Sequence, residues 1–141
     1  MFLGEYEYKV DSKGRLPLPP KFRQEMGAEL ILTKGAEKCI TLYPATEWHK
    51  VADSLVSKKV TSSKMRKLNR YMFGSAFNLT LDGQGRIALP SALRRYAEIE
   101  DEAVIVGTNN CVELWSPTLW NTEKLSADEQ VWQIMESLEE Q

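Results

Sequence analysis

Apolar residues fall on every second position in two stretches of this chain, Gly4-Glu-Tyr6-Glu-Tyr8-Lys-Val10 and Ser75-Ala-Phe77-Asn-Leu79-Thr-Leu81. A period of two marks a half-buried strand, because successive side chains leave a strand on opposite faces. Strands are also expected at Glu29–Thr33 and Cys39–Tyr43, and again at Val104–Val106 and Cys111–Trp115. Elsewhere the period becomes helical. Trp48, Val51, Ala52 and Leu55 share one helical face, and Met65, Leu68 and Met72 share another between Ser63 and Phe73. Lys21 to Met26 reads as a short helix burying Phe22 and Met26, with Pro20 at its first position and Gly27 just past its end. Ser116-Pro117 supplies an N-cap and a first-turn proline. Ser126-Ala-Asp-Glu129 has the form of a capping box, which predicts that the last helix opens there and carries Val131, Met135 and Leu138 on one stripe. Strands with peripheral helices predict an α+β fold.

The pattern is also duplicated. Asp11-Ser-Lys-Gly-Arg-Leu-Pro-Leu-Pro19 returns as Asp82-Gly-Gln-Gly-Arg-Ile-Ala-Leu-Pro90, each position 71 residues on. Phe22 and Arg23 align with Leu93 and Arg94 at the same offset. Cys39, Tyr43 and Trp48 align with Cys111, Trp115 and Trp120 at an offset of 72, as a one-residue insertion would give. Each half therefore reads strand, Gly-Arg turn, strand ending in proline, short helix, two strands and a helix. Two copies are too few for a solenoid, so a pseudo-symmetric barrel or sandwich is expected. At 141 residues the chain can bury one ordinary core, whereas either half alone would be marginal.

Composition narrows the function. No run approaches the roughly 18 apolar residues of a membrane helix, and the charged N-terminus is no signal peptide, so a soluble cytoplasmic protein is expected. Two cysteines in such a setting read as small core residues rather than a disulfide. The net charge of −2 hides a split: residues 1–73 hold 14 Lys/Arg and 8 Asp/Glu, whereas residues 74–141 hold 4 and 12. Such polarity hints at a polyanion partner, although solvated acidic helices would produce it too. Chemistry is scarce. A metal site from His49, Cys39 and Cys111 lacks ligand spacing, a Cys39–His49 nucleophilic pair lacks an equivalent in the second half, and Gly83-Gln-Gly85 is no dinucleotide fingerprint. No enzyme, metal, cofactor or small-molecule substrate is expected.

The repeated Asp-x-x-Gly-Arg turn differs from this background. Gly14 and Gly85 can take a positive φ in a tight turn, and Asp11 and Asp82 can bond local amides or their own arginines. One reading is purely structural. The other is that the turns hold Arg15 and Arg86 outward, since a guanidinium suits forked contacts with phosphate or guanine edges. Ser12 and Lys13 would add a hydroxyl and a cation to the first turn. Gln84, in the second, can read a base edge but cannot neutralise phosphate. A rival basic run, Lys58, Lys59, Lys64, Arg66, Lys67 and Arg70, reads as a DNA contact, a solvated helix face, or a surface meeting the acidic C-terminal helix of another subunit.

With Phe2-Leu3-Gly4-Glu-Tyr6 and Gly74-Ser-Ala, the two Asp-x-x-x-Arg turns ending in Leu-Pro resemble the MraZ family, built of two SpoVT/AbrB-like repeats. The resemblance implies repeats at 5–47 and 76–119, basic linking helices at 48–75 and an acidic C-terminal helix at 120–141. It implies a swapped-hairpin, double-psi-like barrel, ring assembly (often octameric), and binding to tandem repeats in promoter DNA. Such a protein acts in the cytoplasm, at the nucleoid, as a transcriptional regulator that typically represses its own division and cell-wall operon. Residue by residue, Lys13, Arg15 and Arg86 would contact DNA, Ser12 and Gln84 more weakly. Asp11, Gly14, Asp82 and Gly85 would scaffold the turns, because a bare carboxylate is repelled by phosphate. The competing expectation is a ring-forming assembly protein that recruits a protein partner without binding DNA.

Overall fold

The computed structural model describes residues 1–56 and 61–140. Its elements run β1 (Glu5–Lys9), β2 (Arg15–Pro17), α1 (Pro20–Met26), β3 (Leu30–Lys34), β4 (Ile40–Pro44), α2 (Ala45–Val56), α3 (Ser62–Met72), β5 (Phe77–Leu79), β6 (Arg86–Ala88), α4 (Ser91–Ala97), β7 (Glu102–Gly107), β8 (Val112–Trp115) and α5 (Pro117–Glu139). Setting α3 aside, the order strand, strand, helix, strand, strand, helix occurs twice, and the fold is α+β.

Six strands form one sheet in the order β1-β7-β8-β4-β3-β5, and β2 pairs with β6 in a separate ribbon. Exchanging the halves returns the same order read backwards, so the pairing has a pseudo-twofold relation centred between β4 and β8 and between β2 and β6. The leading strand of each half joins the other half: β1 runs antiparallel to β7 with Tyr6 opposite Ile105, and β5 antiparallel to β3 with Asn78 opposite Ile31. Neither half completes its sheet alone. The ladders draw an open sheet with β1 and β5 at its edges, and they do not by themselves close the barrel that the resemblance implies.

The exchanged strands surround one core. Leu16 and Ile87 face each other in the ribbon and are wholly buried. They pack in one cluster with Leu18, Phe22, Leu32, Leu42, Leu93 and Leu114, to which both halves contribute. Each such leucine contributes about 1.5–3 kcal/mol when taken from water. The opposite face of the sheet buries Cys39, Val104, Val106 and Trp115 beneath Leu119 and Trp120 of α5. Glu5 ties α5 to β1 by accepting from Trp120 Nε1 at 2.9 Å and Lys124 Nζ at 2.8 Å.

The C-terminal helix departs from the sequence expectation. Ser116 Oγ caps α5 by accepting the Leu119 N–H at 3.1 Å, but no second helix opens at Ser126. The intervening residues 121–125 hold no glycine or proline, so nothing stops the helix begun at Pro117, and Ser126 Oγ instead accepts from Gln130 one turn on, at 3.3 Å. Its distal part exposes Leu125, Trp132, Ile134, Met135 and Leu138. Among the described residues no helix is long and apolar enough to cross a membrane.

Candidate nucleic-acid interface

Each turn is built by its aspartate. Asp11 Oδ1 accepts the backbone N–H groups of Lys13 and Arg15, both at 2.9 Å, while Oδ2 accepts Arg15 Nε at 2.7 Å. Gly14 N–H donates to the Asp11 carbonyl and Asp11 N–H to the Arg15 carbonyl, each at 3.0 Å. The second turn repeats the arrangement. Asp82 Oδ1 accepts from Gln84 and Arg86 N–H at 2.9 Å, and Oδ2 accepts Arg86 Nε at 2.8 Å. Gly14 and Gly85 take φ values of 77° and 74°, a region that costs an L side chain about 1–2 kcal/mol.

The ribbon sets the two turns side by side. Leu18 N–H donates to the Gly85 carbonyl at 3.2 Å, and Leu89 N–H to the Gly14 carbonyl at 2.9 Å, so each turn is pinned by the other half. Arg86 Nη1 lies 3.7 Å from Asp11 Oδ2, which places one carboxylate between both turn arginines. The side chains of Arg15 and Arg86 remain 33% and 23% exposed. Ser12, Lys13 and Gln84 are exposed at the turn tips.

The hydrogen bonds show in the electrostatics. The Asp11 carboxyl is held down at about 2, chiefly by the Arg15 N–H, then by the Arg15 guanidinium and the Lys13 N–H. Asp82 is lowered too, first by the Arg86 N–H, then by the Gln84 N–H and the Arg86 side chain. A folded value below the unfolded one (about 3.9) means that this contribution is complete above about pH 4 and lost as pH falls through about 2. An NMR titration should therefore show the Arg15 amide shifting with a midpoint near 2, and an Asp11→Asn protein should lack that transition.

Arg23 and Arg94 align between the two halves, but the sequence alone assigns neither a role. The available signal was spacing, since each follows its turn arginine by 8 residues (15 to 23, 86 to 94). Each lies against the turn of the opposite half. A Cβ built on Gly85 would stand 2.4 Å from Arg23 Nε, and one on Gly14 would stand 3.0 Å from Arg94 Nη1. Gly85→Ala thus combines an unfavourable φ with displacement of a hydrogen-bonded arginine, and should cost about 1–3 kcal/mol in urea unfolding. Gly83→Ala, in open space at an ordinary φ, should change stability by less than about 0.5 kcal/mol.

The rival basic run lies elsewhere. Lys58 and Lys59 fall outside the described residues, while Lys64, Arg66, Lys67 and Arg70 are exposed on α3. That helix is fastened at its end, where Thr33 Oγ1 donates to the Met72 carbonyl at 3.2 Å. Leu32 packs with Leu16 and Ile87, and its neighbour Thr33 points to the opposite face of the sheet. The α3 cations and the turn arginines are therefore attached to different faces.

The other candidates for chemistry are not brought into a working arrangement. Cys39 and Cys111 are free. Cys39 is wholly buried, and burial pushes its thiol up to about 12, so it supplies no thiolate nucleophile near neutral pH. His49 is exposed on α2. Among the described residues no group of three or more His, Cys, Asp or Glu could hold a metal ion.

Comparison with known proteins agrees with the duplication. The model of a family described as an antitoxin-like "MraZ protein" matches twice, at residues 1–71 and 72–133. The protein named Transcriptional regulator MraZ from Dehalococcoides mccartyi (strain ATCC BAA-2100 / JCM 16839 / KCTC 5957 / BAV1) is 51% identical over 141 residues, 99% of each chain. The protein of the same name from Halothermothrix orenii is 42% identical over 140 residues, 99% of this chain and 98% of the relative. The relatives' name is that of a regulator, not of an enzyme, and with both halves matched and such identity along the whole length, the chain belongs to the MraZ family.

Proposed function

We propose that the chain is a sequence-specific DNA-binding transcriptional regulator whose two turns read duplex DNA side by side. Its relatives carry the name transcriptional regulator. The observation that carries the DNA reading is the joining of Arg15 and Arg86 across the ribbon, both partly exposed and both aimed by aspartates. A guanidinium forks onto phosphate oxygens or onto guanine O6 and N7, so the same arginine can position or specify. Lys13 adds a phosphate contact to the first turn and Gln84 a base-edge contact to the second, which gives the head a direction on DNA.

One protomer offers few cations, and the whole chain is acidic. The regulator acts as a ring of identical protomers, an octamer by its family likeness, with successive heads on tandem promoter repeats. Linked contacts raise avidity by about 10²–10⁴-fold where the spacings match. Exposed cations on α3 and the acidic distal part of α5 are complementary surfaces for joining neighbours. In this reading repeats 5–47 and 76–119 form the head, their exchanged leading strands are the raw material of a swapped-hairpin barrel, and the ring represses its own division and cell-wall operon at the nucleoid.

A gel shift on the gene's own upstream DNA at 50 and 200 mM salt tests this. Preferential binding over a scrambled duplex, falling at least tenfold between the two salts, is expected from counterion release. No preference at either salt removes the DNA reading. It would favour instead a ring that recruits a protein partner, for which the exposed apolar residues of distal α5 are the supporting observation.

A further inference from the structure

The geometry points to Arg23 and Arg94 as crosswise positioning residues: each holds the reading turn of the opposite repeat, so that Arg94 governs Arg15 and Arg23 governs Arg86. The inference rests on the DNA reading above and adds two residues to it. Arg23 leaves α1, donates Nε to the Leu18 carbonyl at 2.8 Å, and lays its guanidinium against Gly85. Leu18 N–H in turn donates to the Gly85 carbonyl, so one hydrogen-bonded segment of the first half grips the second turn from two sides. On the other side, Arg94 leaves α4, donates Nη2 to the Glu100 carbonyl at 2.8 Å, and sets Nη1 over Gly14, whose carbonyl accepts the Leu89 N–H.

Three physical consequences follow. Gly85 is required for space as well as for φ, because a side chain there would occupy the place of Arg23, whereas at Gly14 the tip of Arg94 needs to shift only slightly. The field also changes: Lys13, Arg15 and Arg86 against Asp11 and Asp82 give a net of +1, and Arg23 with Arg94 raises it to +3 in a chain of net −2. Finally, the braces are unequal. Arg94 Nε is buried without a hydrogen-bond partner among the described residues, whereas Arg23 Nε is bonded. A buried unpaired N–H is costly, so the Arg94 brace carries a penalty that the Arg23 brace does not.

The test uses the full chain and variants Arg15→Ala, Arg86→Ala, Arg23→Gln, Arg94→Gln and Arg94→Lys. Each is mixed with a duplex library carrying every single base-pair change in the upstream DNA, and affinity is read position by position. Arg94→Gln should lose discrimination, about fivefold or more, at the positions that Arg15→Ala affects, and Arg23→Gln at those of Arg86→Ala. Arg94→Lys keeps the charge but not the fork, so it should keep affinity better than Arg94→Gln while losing the same discrimination. Uniform weakening at all positions, or each arginine matching the turn of its own half, overturns the inference. If Arg15→Ala and Arg86→Ala themselves change nothing, the DNA reading has failed as well, a separate outcome. Hydrogen exchange without DNA keeps the inference exposed even where a variant binds poorly. Arg94→Gln should speed exchange of the Leu89 amide at least tenfold more than that of Leu18, and equal acceleration contradicts crosswise support.

Discussion

An Arg15→Ala protein that keeps its fold and assembly should bind its upstream DNA about 5- to 150-fold more weakly per engaged turn, the range for one lost forked base contact. Arg86→Ala should do the same at a different set of base pairs. The reason is in the turn: Asp11 and Asp82 hold each arginine by Nε, so the guanidinium is already oriented before DNA arrives. Little side-chain entropy then remains to be lost on binding. Lys13→Ala should behave otherwise, weakening all sequences alike and lowering the salt slope by about one phosphate's worth. Position-resolved affinity measurements separate the two outcomes.

Leu16→Ala should cost about 2–5 kcal/mol, read from the urea midpoint. Leu16 is wholly buried, faces Ile87 across the ribbon, and lies one residue from Arg15. Its loss leaves a cavity in the ribbon that joins the two halves' turns, against a total stability of only about 5–15 kcal/mol for a domain. DNA affinity should fall with it at temperatures where the fold survives, because the cavity loosens the platform beneath both arginines. Leu125→Ala, at 66% exposed on α5, should change stability by less than about 0.5 kcal/mol.

Local features of this molecule are plain in its sequence, and non-local ones are not. Tyr6 and Tyr8 alternate with Glu5, Glu7 and Lys9, and the strand follows with its half-buried and exposed faces in that order. The Asp, Gly and Arg spacing encodes the turn, because every bond that closes it lies within five residues. Nothing in the alternation tells β1 to pair with β7 of the other half, since both copies carry equivalent strands and either choice satisfies the pattern. The approach of Arg86 to Asp11 follows from the β2–β6 ribbon, another pairing between the halves, and is equally hidden. The Ser126 capping box misled because a cap acts only where the preceding residues are not already helical. Arg23 and Arg94 were visible as a spaced pair, yet their crossed targets depend on the ribbon.

The most direct measurement is hydrogen–deuterium exchange of the intact assembly with and without its tandem-repeat duplex. Protection concentrated on residues 11–15 and 82–86, with α3 unchanged, is the result expected of a paired reading head. Protection on the cations of α3, with both turns exchanging as freely as before, would contradict it.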